Sequence, residues 1–416
     1  MGASYFCSSE CEMTTPLSGK RIAVAGFNAR PLACSLKRAG AKVYVSDYWG
    51  DADLSSCCEE WVSVLDSLPG QRQRTPLEQP VHLSLAQNLV QNFDCSTMDH
   101  IIIGSSFDDH PESLRLIEQV QDLTGNSSDL FVQARDSNRV VPLAQDLGFL
   151  TPQRQVVTSL EEALDAAHKI GYPCVVRPLV SGGGAGIRLA REPKEIENLV
   201  ASSLGSQGHW RRTVQQYIRG TDISCSVMGT GSDAVTLSVQ GQLIGLPSAG
   251  RNCDFVYCGN WIPVSLRQDV VERLRRICAQ MCQGLGLVGS NGIDVVVDSD
   301  GAIWFMEVNP RIQGTIELLE ESTNVSVSHM HIRACDGELP KEMPVFRPAV
   351  KMIVYSRKTG IVPDLSKWRG ARDRTPDGVS VERGDPICTI VENQSSSGRC
   401  YDLVRARAAA IQSSVL

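Results

Sequence analysis

Two apolar runs, Ile293–Val297 and Ile303–Val308, flank Asp298-Ser-Asp-Gly301, and runs split by such a turn signal predict a β-hairpin. Further upstream, Arg21-Ile-Ala-Val-Ala-Gly26 predicts a strand and Ala29–Ala39 a helix closed by Gly40. Lys42-Val-Tyr-Val-Ser-Asp47 then predicts a second strand, ending in an acid. Strand, glycine turn, helix, strand and acid in that order begin a doubly wound α/β unit. His100-Ile-Ile-Ile-Gly104 adds a short buried strand and Pro111–Leu123 a helix, whereas residues 66–97 are rich in Gln, Ser and Pro with modest periodicity.

After a boundary at Thr124-Gly-Asn-Ser-Ser128, helices are expected over Ser137–Leu147 and Leu160–Ile170. Tyr172-Pro-Cys-Val-Val-Arg177 is a strand with a cation at its end, leading into the glycine loop Ser181-Gly-Gly-Gly-Ala-Gly186 and a return strand Ile187–Ala190. Pro193–Leu204 patterns as a helix, Thr213–Ile218 and Ile223–Met228 as strands, residues 233–247 as two more, and Val271–Gly284 as a helix. Beyond the hairpin come helices at Thr315–Glu321 and Ser326–Cys335, strands at Ala349–Tyr355 and Pro386–Val391, and a last helix over Leu403–Ile411. The fold expected is mixed α/β and α+β. A loose tail (1–19) precedes a Rossmann-like domain (20–125), a two-lobed domain (126–340, with a lid lobe at about 150–215) and a small β-rich domain (341–416).

Composition narrows the classes. The chain has 416 residues, 42% hydrophobic and 21% charged, which suits a multi-domain globular protein. A net charge of −7 lacks the basic face that nucleic acid requires. No membrane-spanning run and no export signal is read, so a cytoplasmic location is expected. The fifteen cysteines include no Cys-x-x-Cys pair. Cys174, Cys225 and Cys388 lie in apolar runs and are expected to be buried hydrophobes, while Cys278 with Cys282 and Cys253 with Cys258 remain metal candidates on spacing.

The hairpin carries the chemistry. Glu307 and Asn309 are two residues apart on one strand, so they share a face, and antiparallel pairing can bring Asp294 to the same face. Two carboxylates and an amide oxygen are the hard ligands that Mg²⁺ (or Mn²⁺) takes beside nucleotide phosphates. The plain alternative is a hairpin with acids on its wet side. Arg311 follows, placed for a phosphate or a substrate carboxylate. Upstream, the glycine loop lets backbone amides approach phosphate oxygens, with Arg177 close by. No P-loop motif is present. The first glycine turn, Gly26-Phe-Asn-Ala-Arg30, is too incomplete to argue for a dinucleotide, and a dehydrogenase reading rests on it alone.

Over about Ser137–Pro340 the chain resembles the ATP-grasp ligases, in the carbamoyl-phosphate synthetase and biotin-carboxylase branch. Gly26-Phe-Asn-Ala-Arg30, Asp47-Tyr-Trp-Gly-Asp-Ala-Asp53 and Asn309-Pro-Arg-Ile-Gln-Gly314 resemble a group of predicted carboligases from archaea and methylotrophic bacteria. The resemblance implies that Arg139 and Arg177 hold ATP phosphates and that Ser181, Gly182, Gly183, Gly184 and Gly186 form the loop over them. It implies a hinge of Gln215, Gln216, Tyr217 and Ile218 at the adenine, and Asp222 at the ribose. Asp294, Glu307 and Asn309 would hold the metal, with Glu307, Asn309 and Arg311 at the reacting phosphate. Gln215 and Arg177 replace the family's more frequent Glu and Lys. The implied reaction activates a carboxylate as an acyl phosphate for attack by an amine, in the setting of pterin- or furan-type one-carbon cofactors. A bicarbonate-using carboxylase and a non-catalytic nucleotide-binding protein are the alternatives. Small-molecule substrates are the expected partners, and a homodimer is an expected assembly. The loop Arg251–Trp261 is read either as acceptor lining or as a plain connection. His329 and His331 are read as a wet-face helical pair or as pocket groups.

Overall fold

The computed structural model describes residues 15–180, 182–203, 210–250 and 254–416. Ser181, Leu204, Arg251–Cys253 and most of the expected N-terminal tail therefore lie outside the described residues. The first region runs β1 (Arg21–Gly26), α1 (Arg30–Arg38), β2 (Lys42–Asp47), β3 (Glu60–Ser63), α2 (Val81–Asn92), β4 (His100–Ile103) and α3 (Pro111–Glu118). Its strands pair in parallel in the order β3-β2-β1-β4. Both faces of β1 are apolar, as a strand covered on two sides must be: Ile22 and Val24 pack with Leu32 and Leu36, Ala23 and Ala25 with Leu85 and Leu89. Asp47 ends β2 and accepts hydrogen bonds from the amides of Ala29, Trp49 and Gly50 at 2.7–2.9 Å, tying together the loops that follow β1 and β2. A disulfide joins Cys34 on α1 to Cys57, a pairing that spacing does not single out.

Two helices, α4 (Ser128–Arg135) and α5 (Ser137–Asp146), lead into a small lobe, the one expected as a lid, built from β5 (Arg154–Val157), α6 (Leu160–Ile170), β6 (Cys174–Pro178), β7 (Arg188–Ala190), α7 (Pro193–Ser203) and β8 (Arg212–Gln216). Its sheet order is β5-β8-β6-β7. The main body follows with β9 (Thr221–Thr230), β10 (Ala234–Ile244), β11 (Tyr257–Ile262), α8 (Gln268–Gly284), β12 (Val288–Val297), β13 (Ile303–Asn309), α9 (Ile316–Thr323) and α10 (Val327–Cys335). The C-terminal stretch adds β14 (Ala349–Tyr355), β15 (Gly360–Ile361), β16 (Ala371–Arg372), β17 (Ser380–Val381), β18 (Pro386–Asn393) and α11 (Ser397–Ser414).

Three of those last strands extend the body's own sheet, whose order is β13-β12-β9-β10-β11-β14-β18-β16. One face of it is greasy: Ile223, Cys225, Val227, Val239, Ile293 and Val295 pack on α8. Cys278 and Cys282 sit in that core, which makes them packing thiols and not metal ligands. The other face is a buried polar row. Ser224, Ser226, Gln240, Asn260 and Lys351 lie on it, fully withdrawn from solvent. Buried polar groups need partners, and Gln313 supplies them. Its Nε2 donates to Ser224 Oγ and its Oε1 accepts from Ser226 Oγ, both at 2.8 Å. A side chain at Gly292 would collide with Gln313 at 2.0 Å, so glycine is what lets the loop after β13 lie on the sheet.

Three regions of the chain meet at Arg30. Its Nη2 lies 2.8 Å from Glu317 of α9, and its Nε 2.5 Å from Asp373 and 3.5 Å from Asp53. Arg372 also holds Glu317, at 3.0 Å. Burial alone would raise the Glu317 carboxyl, but Arg30, Arg372 and Lys351 hold it well below the usual carboxylate range. Nearby Asp51 is pushed well up, by burial first and then by Asp373, Asp47 and Asp53.

Candidate active site

The predicted hairpin forms, and Asp294 lies directly opposite Glu307 across β12 and β13. Asn309 Nδ2 donates to Asp294 Oδ2 at 3.0 Å, and Gln242 Nε2 to Asp294 Oδ1 at 3.3 Å. The three expected ligands are thus side by side. Burial, and then the facing charge of Glu307, push the Asp294 carboxyl up to about 7. Two carboxylates held against each other with few donors between them are the environment that a divalent cation relieves, and the all-oxygen donor set fits Mg²⁺. Asp222 is two residues along β9 from Ser224, the partner of Asp294, so it shares that face. Burial lifts it to about 6.

Arg311 reaches the same spot but is already held. Its Nε sits 2.9 and 3.0 Å from the two oxygens of Asp108, and its Nη2 donates to Asn309 Oδ1 at 3.3 Å. Sequence reasoning missed Asp108, Asp109 and Arg135. Arg135 forms a two-pronged pair with Asp109 at 2.9 and 3.0 Å and extends Nη1 to Glu307 Oε2 at 3.4 Å. The loop after β4 therefore contributes both carboxylates that fix the cations beside Asp294 and Glu307. Arg139, in contrast, lies exposed on α5 and bonds Gln133. In this conformation Arg135, the last residue of α4, is the arginine on the acids.

The lid brings the other cations. Register places Arg154 opposite Gln215, Gln215 opposite Val175, and Thr213 opposite Arg177, so Arg154, Gln215 and Arg177 share one face of the sheet. The other face carries Cys174, Val176 and Val214, packed on Ala163, Ala167 and Ile196. Burial and the like charge of Arg177 together lower the Arg154 guanidinium from its ordinary value. Among the described residues no carboxylate pairs with either arginine. Two neighbouring unneutralised guanidiniums are an anion site. Arg154 was missed because its strand, Arg154-Gln-Val-Val157, is too short and exposed to pattern.

Gly183 and Gly184 of the lid loop rest on the body. Gly183 O accepts from Tyr257 N at 3.1 Å. At Gly184, whose φ is +78°, an added Cβ would fall 1.7 Å from Phe255 O, so no other residue fits that approach. Tyr217, in the hinge between β8 and β9, meets the Phe255 ring edge-on at 6.3 Å. Gln216 bonds Gln153 through both backbone and side chain, which anchors the hinge to the lead-in of β5. The glycine loop is thus seated on Phe255 and Tyr257, at the entry to β11, a strand that takes up the end of the expected 251–261 loop. His331 is not on a wet face: it is buried, accepts from Ser290 N at 2.8 Å, bonds Thr124 O at 2.9 Å and lines a small cavity with Asn126 and Arg311.

The ATP-grasp domain family matches residues 141–315. An uncharacterized protein of Methanocaldococcus jannaschii is 23% identical over 375 residues, 89% of this chain and 88% of that one. The carbamoyl phosphate synthase large chain of Ralstonia nicotianae is 26% identical over 251 residues, covering 60% of this chain but only 23% of the synthase. Among solved structures, the biotin carboxylase domain of 2-oxoglutarate carboxylase from Hydrogenobacter thermophilus, in complex with ADP, magnesium and bicarbonate, superposes with a TM-score of 0.72. Identity there is 18%, with 93% of this chain and 89% of that one covered.

Proposed function

We propose, on the premise that this is an ATP-grasp protein, that it is an ADP-forming ligase joining a small carboxylate to an amine. The observation that carries the reading is the convergence of Asp294, Glu307 and Asn309 on one face, with two unneutralised lid arginines above a phosphate-type glycine loop. When bound, Mg²⁺ held by those three residues would neutralise charge on the triphosphate. Arg154 and Arg177 bind and orient the phosphates from the lid side, and Arg311 does so from the body. Gly182–Gly186 close over them and exclude water, so that the activated phosphate meets the substrate and not solvent. A substrate carboxylate attacks the γ-phosphate to give an acyl phosphate and ADP; the amine then displaces phosphate. The chain need supply no covalent nucleophile. A role in assembling a pterin- or furan-type one-carbon cofactor is supported by the sequence resemblance alone.

A second reading, with bicarbonate as the carboxylate, is favoured by the structural likeness to a biotin carboxylase domain. Both are tested in one series. Melting is followed with Mg·ATP, Mg·ADP and Mg·NADH, each against EDTA, since a ligand of the folded state raises the melting point by mass action. Metal-dependent shifts with ATP and ADP alone are expected, and ADP release is then screened with bicarbonate and with carboxylate–amine pairs. Absence of any shift overturns the reading.

A further inference from the structure

The N-terminal region carries a second constellation of ligand atoms, away from the oxygen set of the hairpin. His82, in the first turn of α2, and His110, which precedes α3, stack with ring centroids 3.5 Å apart and planes 5° from parallel. Glu112 closes the group: its Oε1 lies 3.2 Å from His110 Nδ1 and 3.7 Å from His82 Nδ1. Among the described residues these are the one group of three His, Cys, Asp or Glu side chains whose ligand atoms lie mutually within 4.8 Å. Ser113 Oγ stands 2.8 Å from His82 Nδ1.

We propose that His82, His110 and Glu112 bind a divalent transition metal of the zinc class. The distances support it. A tetrahedral ion with bonds of about 2.0–2.1 Å sets its ligand atoms roughly 3.3–3.4 Å apart, close to the spacings found here. In the stack the two lone pairs run parallel, so binding requires the more exposed His110 ring to swing out of the stack until both histidines point at one ion. Two imidazoles and one carboxylate select zinc-like ions, whereas the all-oxygen set at Asp294 selects magnesium, so the two sites sort ions by chemistry. The competing account is an ion pair of Glu112 with one protonated histidine, since stacking at 3.5 Å forbids charging both rings together, and calorimetric titration of Zn²⁺ separates the two. Three protein ligands leave a position for water. His110 directly follows Asp108 and Asp109, which grip Arg311 and Arg135, so the ion would pin the loop that positions those cations.

The test is calorimetric titration of Zn²⁺ into the EDTA-treated and dialysed full chain in excess Mg²⁺, repeated with Glu307→Gln. One equivalent bound at micromolar affinity or tighter is expected in both. His82→Gln or His110→Gln should abolish binding and Glu112→Gln weaken it at least about tenfold, with the metal-free melting point unchanged for the more exposed His110 and Glu112 variants. Co²⁺ should give the strong visible absorption of a tetrahedral site, lost in the same variants. No stoichiometric binding, binding that survives in the double histidine variant, or binding lost on Glu307→Gln or thiol alkylation would each overturn the site.

Discussion

Glu307 shows how little volume separates a working site from a dead one. Glu307→Gln keeps the side-chain shape but removes a charged oxygen from the proposed metal site opposite Asp294. ATP turnover should fall at least about 100-fold, while the melting point in EDTA stays level or rises, because a like-charge pair is relieved. Full turnover in a steady-state ADP assay would refute the metal assignment. His331 makes a residue-scale prediction of another kind. Burial depresses its imidazole to about 4 from an ordinary 6.5. Below pH 6.5 the unfolded chain takes up a proton that the folded one refuses, so stability falls as pH drops towards 4 and this contribution then levels off. The loss is on the order of 3 kcal/mol at most. Denaturant melts of wild type and His331→Gln across that window should differ in slope, with the variant flatter but weaker at pH 7.

Elements were legible in the sequence wherever a periodic run met a clear stop. The hairpin was foreseen because apolar runs flank a four-residue turn signal, and α1, β2 and α6 because glycines close the helices. The failures have physical causes. α2 hides in a Gln- and Ser-rich stretch where only Leu85, Ala86 and Leu89 mark the buried stripe. β12 starts five residues before the expected strand, since Gly289 and Gly292 depress strand propensity yet make room for His331 and Gln313. Asp294, Glu307 and Asn309 could be found because one hairpin holds them, whereas the Asp108–Arg311 pair spans 203 residues and no local pattern announces it. At the lid, Gly184→Ala places a methyl on Phe255 O and demands a left-handed backbone. The loop should then fail to seat, raising the KM for ATP about tenfold or more with little change in the ligand-free melting point. Unchanged kinetics would mean that the loop does not close over nucleotide.

At the scale of the whole molecule, Arg30 joins the first α/β region, α9 and the segment before β18 through buried acids. Arg30→Met leaves Glu317 and Asp373 without their shared cation, and removing one partner of a buried network costs about 3–5 kcal/mol. Denaturant unfolding should show that loss together with a single transition; a separate early transition would mean that the regions fold independently. The C-terminal strands carry a further lesson. Because β14, β18 and β16 complete the sheet on which Asp294 sits, this stretch is not a cassette. Exchanging it for the matching piece of a relative would force a foreign strand to re-form the pairing with β11 and would replace Lys351, which meets Gly314 O at 2.7 Å. Attempts to redirect substrate choice by recombination should therefore cut within loops on a retained scaffold, and chimeras joined near residue 340 should be recovered as aggregates.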